Sequence, residues 1–376
     1  MNRSNKKIIL LLLFAIFLSV SINAQEVVNQ SSAEIWDSNK VTFPSYITTH
    51  RENLILPKIK GYEVISCDFH VHTVFSDGLM WPTFRVLEAW KQGLDCFAMT
   101  DHVEYRPHRE NLKADLNTSY DLAKEDADQV GLVLIKGAEI TRKPKNWGHF
   151  NALFIKDANL LEVEDPKEAL LAAKKQNAFI IWNHPGWSLD STLINPFVGE
   201  MFKEKIINGI EVYNNCEFYP KAMAWAIDKH LAIIAATDVH GTVEQGTLKQ
   251  DANQRPMTLV LAKEHSLNGI REALEAGRTM AFFQGYIAAR EEIAIWLTEE
   301  YLSVKKIYSN EKNDFYTLTN SSSVPFKILF NNKRYVLPAL STISFNVPKG
   351  VSKIAVKFEN IIIYENKVLA HDLLLQ

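Results

Sequence analysis

From about position 60 the chain carries two hydrophobic rhythms in alternation. Short β-branched or aromatic runs, Val64–Phe69, Cys96–Thr100, Leu132–Ile140, Phe150–Ile155, Phe179–Trp182, Gly209–Tyr213 and Ala232–Thr237, predict strands. Between several of them apolar residues recur at helical spacing, which predicts amphipathic helices over Pro82–Gln92, Ser119–Gln129, Pro166–Gln176 and Pro220–Lys229. Pro82, Pro166 and Pro220 stand near the helix starts, where a missing N–H does no harm. Repeated strand-then-helix units predict an α/β fold on a parallel sheet, open or closed into a barrel. Near Glu292 the rhythm changes. Residues 293–376 show almost no helical period and many alternating runs, such as Phe326–Phe330, Thr342–Asn346 and Ile354–Phe358. This tail predicts a small antiparallel sandwich.

The start of the chain follows a different logic. Arg3, Lys6 and Lys7 precede an apolar run, Ile8–Val20, too short to span a bilayer, and Ala24 supplies a small residue at the expected cleavage point. Residues 1–24 are therefore expected to be a secretory signal peptide, and the mature protein to be secreted or periplasmic with no membrane anchor. Residues 25–58 are polar and then rich in turn formers, and predict an extended lead-in to a domain at 59–292. Cleavage would remove three positive charges and no negative one, moving the formal net charge from −3 to −6. A mildly acidic chain lacks the basic face that stable nucleic-acid binding requires. Cys67, Cys96 and Cys216 are widely spaced, unlike a disulfide framework, and Cys67 and Cys96 fall inside predicted buried strands as apolar fillers.

The polar residues at the strand ends carry the chemistry. The first strand runs out in Asp68-Phe-His70-Val-His72 with Asp77 beyond, the second in Thr100-Asp101-His102, and the third reaches Glu139. Gly148-His149-Phe150 opens the next strand; Asn183-His184 and Asp238-Val-His240 close two later ones. His70 and His72 flank one valine, so in a strand both rings leave the same face. Six of the eleven histidines fall at such positions. Any one of them is explicable as a polar cap on a buried strand, whereas the set is not. In a parallel barrel the C-terminal strand ends share one face, so residues far apart in sequence converge there.

The motifs HVHTVFSDG, TDHVEYRPH, GAEITR with GHFNALF, WNHPGW and ATDVHG, in that order over about residues 60–290, resemble those of the polymerase and histidinol phosphatase (PHP) family. The stretch from Gly61 to His108, with the export-type start and the sandwich-like tail, is similar to secreted bacterial phosphodiesterases of that family. The resemblance implies a distorted seven-stranded (β/α)7 barrel of the metal-dependent hydrolase kind, followed by the all-β domain at 293–376. It implies three divalent metal ions: one on His70, His72, Glu139 and Asp238, a second on Asp77, His102 and His240, a third on Glu139, His149 and His184. Glu139 would bridge two of them. Imidazole and carboxylate without thiolate independently suit Zn²⁺, Mn²⁺ or Fe²⁺.

A small phosphate ester, with diesters preferred, is the expected substrate. The alternatives are a phosphomonoester of histidinol-phosphate or nucleotide type, or an amide or lactone. Arg142, with Lys143 and Lys145 close by, is a candidate grip for a phosphate oxygen. His108 is a candidate proton donor, against the plainer reading of a surface histidine. Glu139 and Asp238 are assigned catalytic as well as metal-holding roles. Trp81, Tyr105, Trp147 and Trp187 follow strand ends and are candidates for an apolar collar. Glu211 ends the one strand without an assigned ligand, and either orients a ligand histidine or satisfies a loop. Asp68 and Asp101 are read as buried hydrogen-bond acceptors. Arg278 either reaches substrate or closes the barrel with an ion pair. The oligomeric state is not legible in the sequence.

Overall fold

The computed structural model describes residues 36–37, 40–41, 50–141, 147–187, 192–244 and 255–375. The expected signal peptide, nearly all of the lead-in to residue 49, and Arg142, Lys143 and Lys145 lie outside the described residues. Trp36–Asp37 pairs with Lys40–Val41 as a short antiparallel hairpin in the unit that ends at His50. From Arg51 onward the chain forms one compact unit.

In that unit the strands are β1 (Glu63–Asp68), β2 (Cys96–Met99), β3 (Val133–Thr141), β4 (His149–Leu153), β5 (Phe179–Asn183), β6 (Gly209–Asn214) and β7 (Ala232–Ala236). Three more, β8 (Met257–Ala262), β9 (Thr279–Phe283) and β10 (Tyr286–Ala289), lead to the C-terminal set. The helices are α1 (Pro82–Lys91), α2 (Thr118–Gln129), α3 (Pro166–Lys175), α4 (Pro196–Lys203), α5 (Pro220–Asp228), α6 (Leu267–Glu275) and α7 (Glu291–Tyr301). Proline opens α1, α3, α4 and α5; α3 is also capped by Asp165, which accepts from the N–H groups of Lys167 and Glu168. None of the described helices is long and apolar enough to cross a membrane.

The principal sheet runs β7-β6-β5-β4-β3-β2-β1-β8-β9-β10. Its pairing corrects the parallel expectation: β1, β2 and β3 are mutually parallel, as are β5, β6 and β7, but β4 runs antiparallel to both neighbours. The physical reason is the short connection at residues 142–148, since a parallel return needs a crossover of about a dozen residues or more. β8 and β9 are antiparallel as well. The sheet curls until its first strand, β7, comes back against β1 and β8: the Asp238 N–H after β7 donates to His70 O after β1 at 3.0 Å, and Thr258 Oγ1 of β8 bonds both backbone groups of Ala235 in β7. Cys67 and Cys96 are fully buried between these strands, and Cys216 is exposed.

The C-terminal strands are β11 (Leu302–Ser309), β12 (Asn313–Asn320), β13 (Phe326–Phe330), β14 (Lys333–Leu337), β15 (Thr342–Pro348), β16 (Lys353–Tyr364) and β17 (Lys367–Leu374). β11-β12-β15 form one antiparallel sheet, while β16, with β17, β13 and β14, joins the principal sheet through parallel pairing with β10. Leu318, Phe345, Ile328, Val356 and Leu373 line an apolar cleft of about 20 Å³. The expected absence of helix after residue 292 is corrected by α7. Its buried residues, Ile293, Ala294, Leu297, Thr298 and Tyr301, follow a helical period that the β-branched isoleucines obscure in the sequence.

Candidate metal centre

The chain stays extended beyond β1, and Val71 bridges to Val239 in parallel. Alternation therefore sends the His70 and His72 rings to one side, both wholly buried with centroids 5.0 Å apart. Asp238 and His184 hold left-handed backbone, φ 53° and 24°. Such conformations persist only where neighbours fix them. The Asp238 N–H bond to His70 O and the His184 N–H bond to Glu211 Oε2, 2.8 Å, do so here. The antiparallel direction of β4 places its first residue, His149, opposite Thr141 and Asn183, the last residues of its neighbours. That direction is why an opening residue joins closing residues at one mouth.

All nine sequence-assigned ligands meet there. Glu139 lies at the centre, and its two oxygens face different partners. Oε2 approaches His70 Nε2 at 3.3 Å, His72 Nε2 at 3.4 Å and His102 Nδ1 at 2.8 Å, whereas Oε1 approaches His149 Nδ1 at 3.1 Å and His184 Nε2 at 3.6 Å. Asp238 is divided likewise, with Oδ1 3.2 Å from His70 Nε2 and 3.1 Å from His72 Nε2, and Oδ2 3.7 Å from His184 Nε2. Asp77 Oδ1 lies 3.2 Å from His240 Nε2 and 3.5 Å from His102 Nε2. Four groups of donor atoms, each within 4.8 Å of one another, result: His72, Asp77, His102 and His240; His70, His72 and Glu139; His70, His184 and Asp238; Glu139, His149 and His184.

The electrostatics suit a bound cation. Burial opposes charge on Glu139, yet His102 and His70 outweigh it and hold the carboxyl well below the usual range. Burial likewise opposes charge on Asp238, and His70 and His72 overcome it. For His70 burial is overridden by Asp238, Glu139 and Glu211, which raise its pKa well above the ordinary value. His72 is driven the other way, to about 4, by burial and by His102. His70 and His102, beside ionised carboxylates, thus favour the protonated form at positions where a bound cation would replace the proton. His70 Nε2, His72 Nε2, Asp77 Oδ1 and Glu139 Oε2 are buried atoms with no hydrogen-bond partner among the described residues. Buried polar atoms left unmatched are costly, and divalent ions held in these donor groups would satisfy all four. The donor set of imidazole nitrogen and carboxylate oxygen fits Zn²⁺, Mn²⁺ or Fe²⁺.

A surrounding layer fixes these donors. Glu211 Oε1 meets His70 Nδ1 at 2.8 Å, which leaves Nε2 to face the centre. Asp101 accepts from Thr73 N, Thr73 Oγ1 and Ser76 Oγ, each at 2.7 Å, and pins the loop that carries Asp77. Asp68 accepts from Thr237 and Arg255. Two residues unassigned in the sequence are Asn183, whose Nδ2 donates to Glu139 Oε1 at 3.0 Å, and Arg85, whose buried guanidinium reaches the backbone of the ligand loops. Arg85 had a signal: it shares the buried face of α1 with Pro82, Val86 and Ala89, where a charge is out of pattern.

His108 stands in a surface turn and belongs to none of the four donor groups. Arg278 turns away from the centre, donating to Leu261 O, pairing with Glu272 and stacking over Tyr62. Of the aromatic residues, Trp187 and Tyr105 are half-exposed beside ligands: Trp187 lies 5.4 Å from His149 and 5.2 Å from His184, Tyr105 6.1 Å from His102. Trp81 packs on Phe75, and Trp147 stacks on Phe197.

An α/β sheet whose strand ends gather imidazoles and carboxylates at one buried point defines a metal-dependent hydrolase. No protein-family model and no curated protein matches the chain. Among solved structures it is similar to a two-domain protein from Bacteroides vulgatus containing a predicted PHP-like metal-dependent phosphoesterase, at 37% identity over 87% of this chain and 99% of that one, with TM-score 0.83. A proposed metal-dependent phosphoesterase from Bifidobacterium adolescentis matches at 17% identity over 56% of this chain and 96% of its own, TM-score 0.42. The lesion-specific endonuclease of Pyrococcus furiosus matches at 14% identity over 61% and 59%, TM-score 0.38. On the first of these likenesses the chain belongs to the PHP-like family of metal-dependent phosphoesterases.

Proposed function

We propose that the protein is an exported phosphodiesterase that hydrolyses small organic or nucleotide-like phosphate diesters at a three-metal centre. The observation that carries the reading is the division of Glu139, one oxygen toward His70, His72 and His102 and the other toward His149 and His184. A carboxylate so placed can serve two ions at once. His70, His72, Glu139 and Asp238 would hold the first, Asp77, His102 and His240 the second, and Glu139, His149 and His184 the third. The geometry adds His72 to the second set. Divalent ions bound there would lower the pKa of water and polarise a phosphoryl oxygen.

The chain's own residues do the rest. Glu139 and Asp238 keep the buried imidazoles at fixed spacing, and Asp101 and Glu211 keep the loops and rings in register. Trp187 and Tyr105, with half-exposed rings on either side of the mouth, offer flat apolar faces to the organic part of an ester and shield the centre from bulk water. Arg142 is assigned to the phosphate and His108 to the departing alkoxide on sequence grounds alone. The apolar run at Ile8–Val20 supports export.

The test is elemental analysis of the purified protein together with turnover of bis-p-nitrophenyl phosphate and p-nitrophenyl phosphate. Three equivalents of metal with faster diester turnover is the expected result. Preference for the monoester would move the assignment to a phosphomonoesterase. Turnover of amides or lactones, unaffected by excess inorganic phosphate, would overturn phosphoester chemistry.

A further inference from the structure

We propose that Arg85 and Glu88 of α1 form a positioning pair that holds the donor group His72, Asp77, His102 and His240 in register and sets its affinity for metal separately from that of the Glu139, His149 and His184 group. The inference rests on the metal-centre reading above. Arg85 is 1% exposed and touches no donor atom of that group. Its Nε donates to His72 O at 2.9 Å, and its Nη2 donates to Val239 O at 3.1 Å and His240 O at 2.9 Å. Its Nη1 pairs with Glu88 Oε2 at 2.7 Å, and Glu88 Oε1 accepts from Val243 N at 2.8 Å. One buried guanidinium therefore joins the loop after β1 to the loop after β7.

Those two loops carry three of the four donors, namely His72, Asp77 and His240. The His72 and His240 rings stack with centroids 4.3 Å apart, so their spacing follows from that of the two backbones. Gly78 tightens the same junction. A Cβ there would lie 2.7 Å from the His72 carbonyl carbon, and the Leu79 N–H donates to His240 O at 2.7 Å. The Glu139, His149 and His184 group is built differently. Its residues sit on β3, on β4 and just beyond β5, and their spacing is fixed without Arg85, by ladder pairing of His149 with Thr141 and Asn183 and by the bonds of Asn183 to Glu139 and of His184 N to Glu211. The clamped group is also the more open, since His240 is 38% and Asp77 21% exposed in their side chains. Retention of an ion in this group would accordingly depend on the helix packed against both loops.

A guanidinium suits this task because it is always charged and presents several donors in a fixed plane, so three carbonyls and a carboxylate are met without rearrangement. Lysine offers a compact charge and cannot reproduce the fork.

The experiment loads full-length protein with Mn²⁺ or Zn²⁺, titrates it with a chelator and counts retained metal by elemental analysis, for the wild type, Arg85→Lys and Glu88→Gln. Expected is loss of metal at chelator concentrations about 10- to 100-fold lower in Arg85→Lys, with at least one equivalent, that of the Glu139, His149 and His184 group, unmoved. Glu88→Gln, which leaves the guanidinium in place, should shift the same loss in the same direction by less, and it carries the test if Arg85→Lys does not fold. Equal loss of all equivalents, or no shift in either variant, would overturn the proposal. A wild type that binds no metal would overturn both this inference and the metal-centre reading. A wild type that binds metal but lacks phosphodiester turnover would overturn the proposed function alone, because the readout here is binding.

Discussion

Glu211 and His70 meet at 2.8 Å, Oε1 to Nδ1, with neither side chain exposed to solvent. The contact selects the tautomer with the proton on Nδ1 and turns Nε2 toward Glu139 and Asp238. The other carboxylate oxygen is also committed, accepting from His184 N and Asn214 Nδ2 at 2.8 Å each. Glu211→Gln keeps the size but puts an amide N–H₂ against donors. Its metal affinity should fall about 10- to 100-fold, read by chelator titration. Glu211→Ala leaves those donors buried and unmatched and should destabilise the fold by about 3 kcal/mol, read by urea unfolding.

Glu139 supports a sharper expectation, because its oxygens serve different donor groups. Glu139→Ala should remove more than one equivalent of metal, while His149→Ala, which touches only one group, should remove about one. Turnover in Glu139→Ala should drop on the order of a hundredfold or more. Elemental analysis beside a diester assay distinguishes the two variants. Full activity with full metal content in Glu139→Ala would refute the bridging role.

Most ligands of this centre were legible because they lie at or just beyond strand ends, where a polar residue interrupts an apolar run; Asp77 lies farther out, in the turn after β1. Once the elements are strung in order, the topology of a curled sheet brings such ends together. The direction of β4 was in principle legible too, since residues 142–148 leave too little chain for a parallel return. Arg85 leaves a signal, a charge on the apolar face of α1, but it is passed over with Glu88 because a helix face is judged by its average, and Val86 and Ala89 supply enough apolar character for α1 to read as ordinary. Glu211 could be noticed but not assigned: its partner His70 is 141 positions away, and no local pattern reports which of two nitrogens it meets. α7 was missed because Ile293 and Ile295 carry strand propensity, and tertiary packing rather than propensity decides such segments.

His371 gives a pH dependence remote from the metal centre. It lies on β17 with Nε2 2.8 Å from Thr298 Oγ1 of α7, and its ring stacks on Phe358. Burial lowers its pKa from the ordinary value, against a smaller opposing influence from the Asp372 backbone and Glu299. The unfolded chain therefore takes up the proton first, at about pH 6.5, while the folded chain resists it. The stabilisation is fully present above that pH and is lost as pH falls through the lower folded value. In His371→Gln, unfolding free energy should decline less steeply below pH 6.5 than in the wild type. The difference between the two curves isolates this residue from every other titrating group, and parallel curves would show that His371 contributes none of the slope.

The last expectation concerns Asp68, the last residue of β1, and Arg255, just before β8, a buried pair joined at 2.7 Å. Asp68 also accepts from the Thr237 hydroxyl at 2.6 Å and from His70 N at 3.2 Å, so its charge is matched from several sides. Arg255 extends the network to Gln92 Oε1 at 2.8 Å, beyond the end of α1. Removing one partner strands a charge in the interior, so Arg255→Met should cost about 3–5 kcal/mol in urea unfolding of the metal-free protein. The double variant Asp68→Asn with Arg255→Met removes both charges while an amide oxygen still accepts from Thr237, and it should be more stable than Arg255→Met alone. Additive losses in that cycle would mean that the two side chains stabilise the fold independently rather than as a pair.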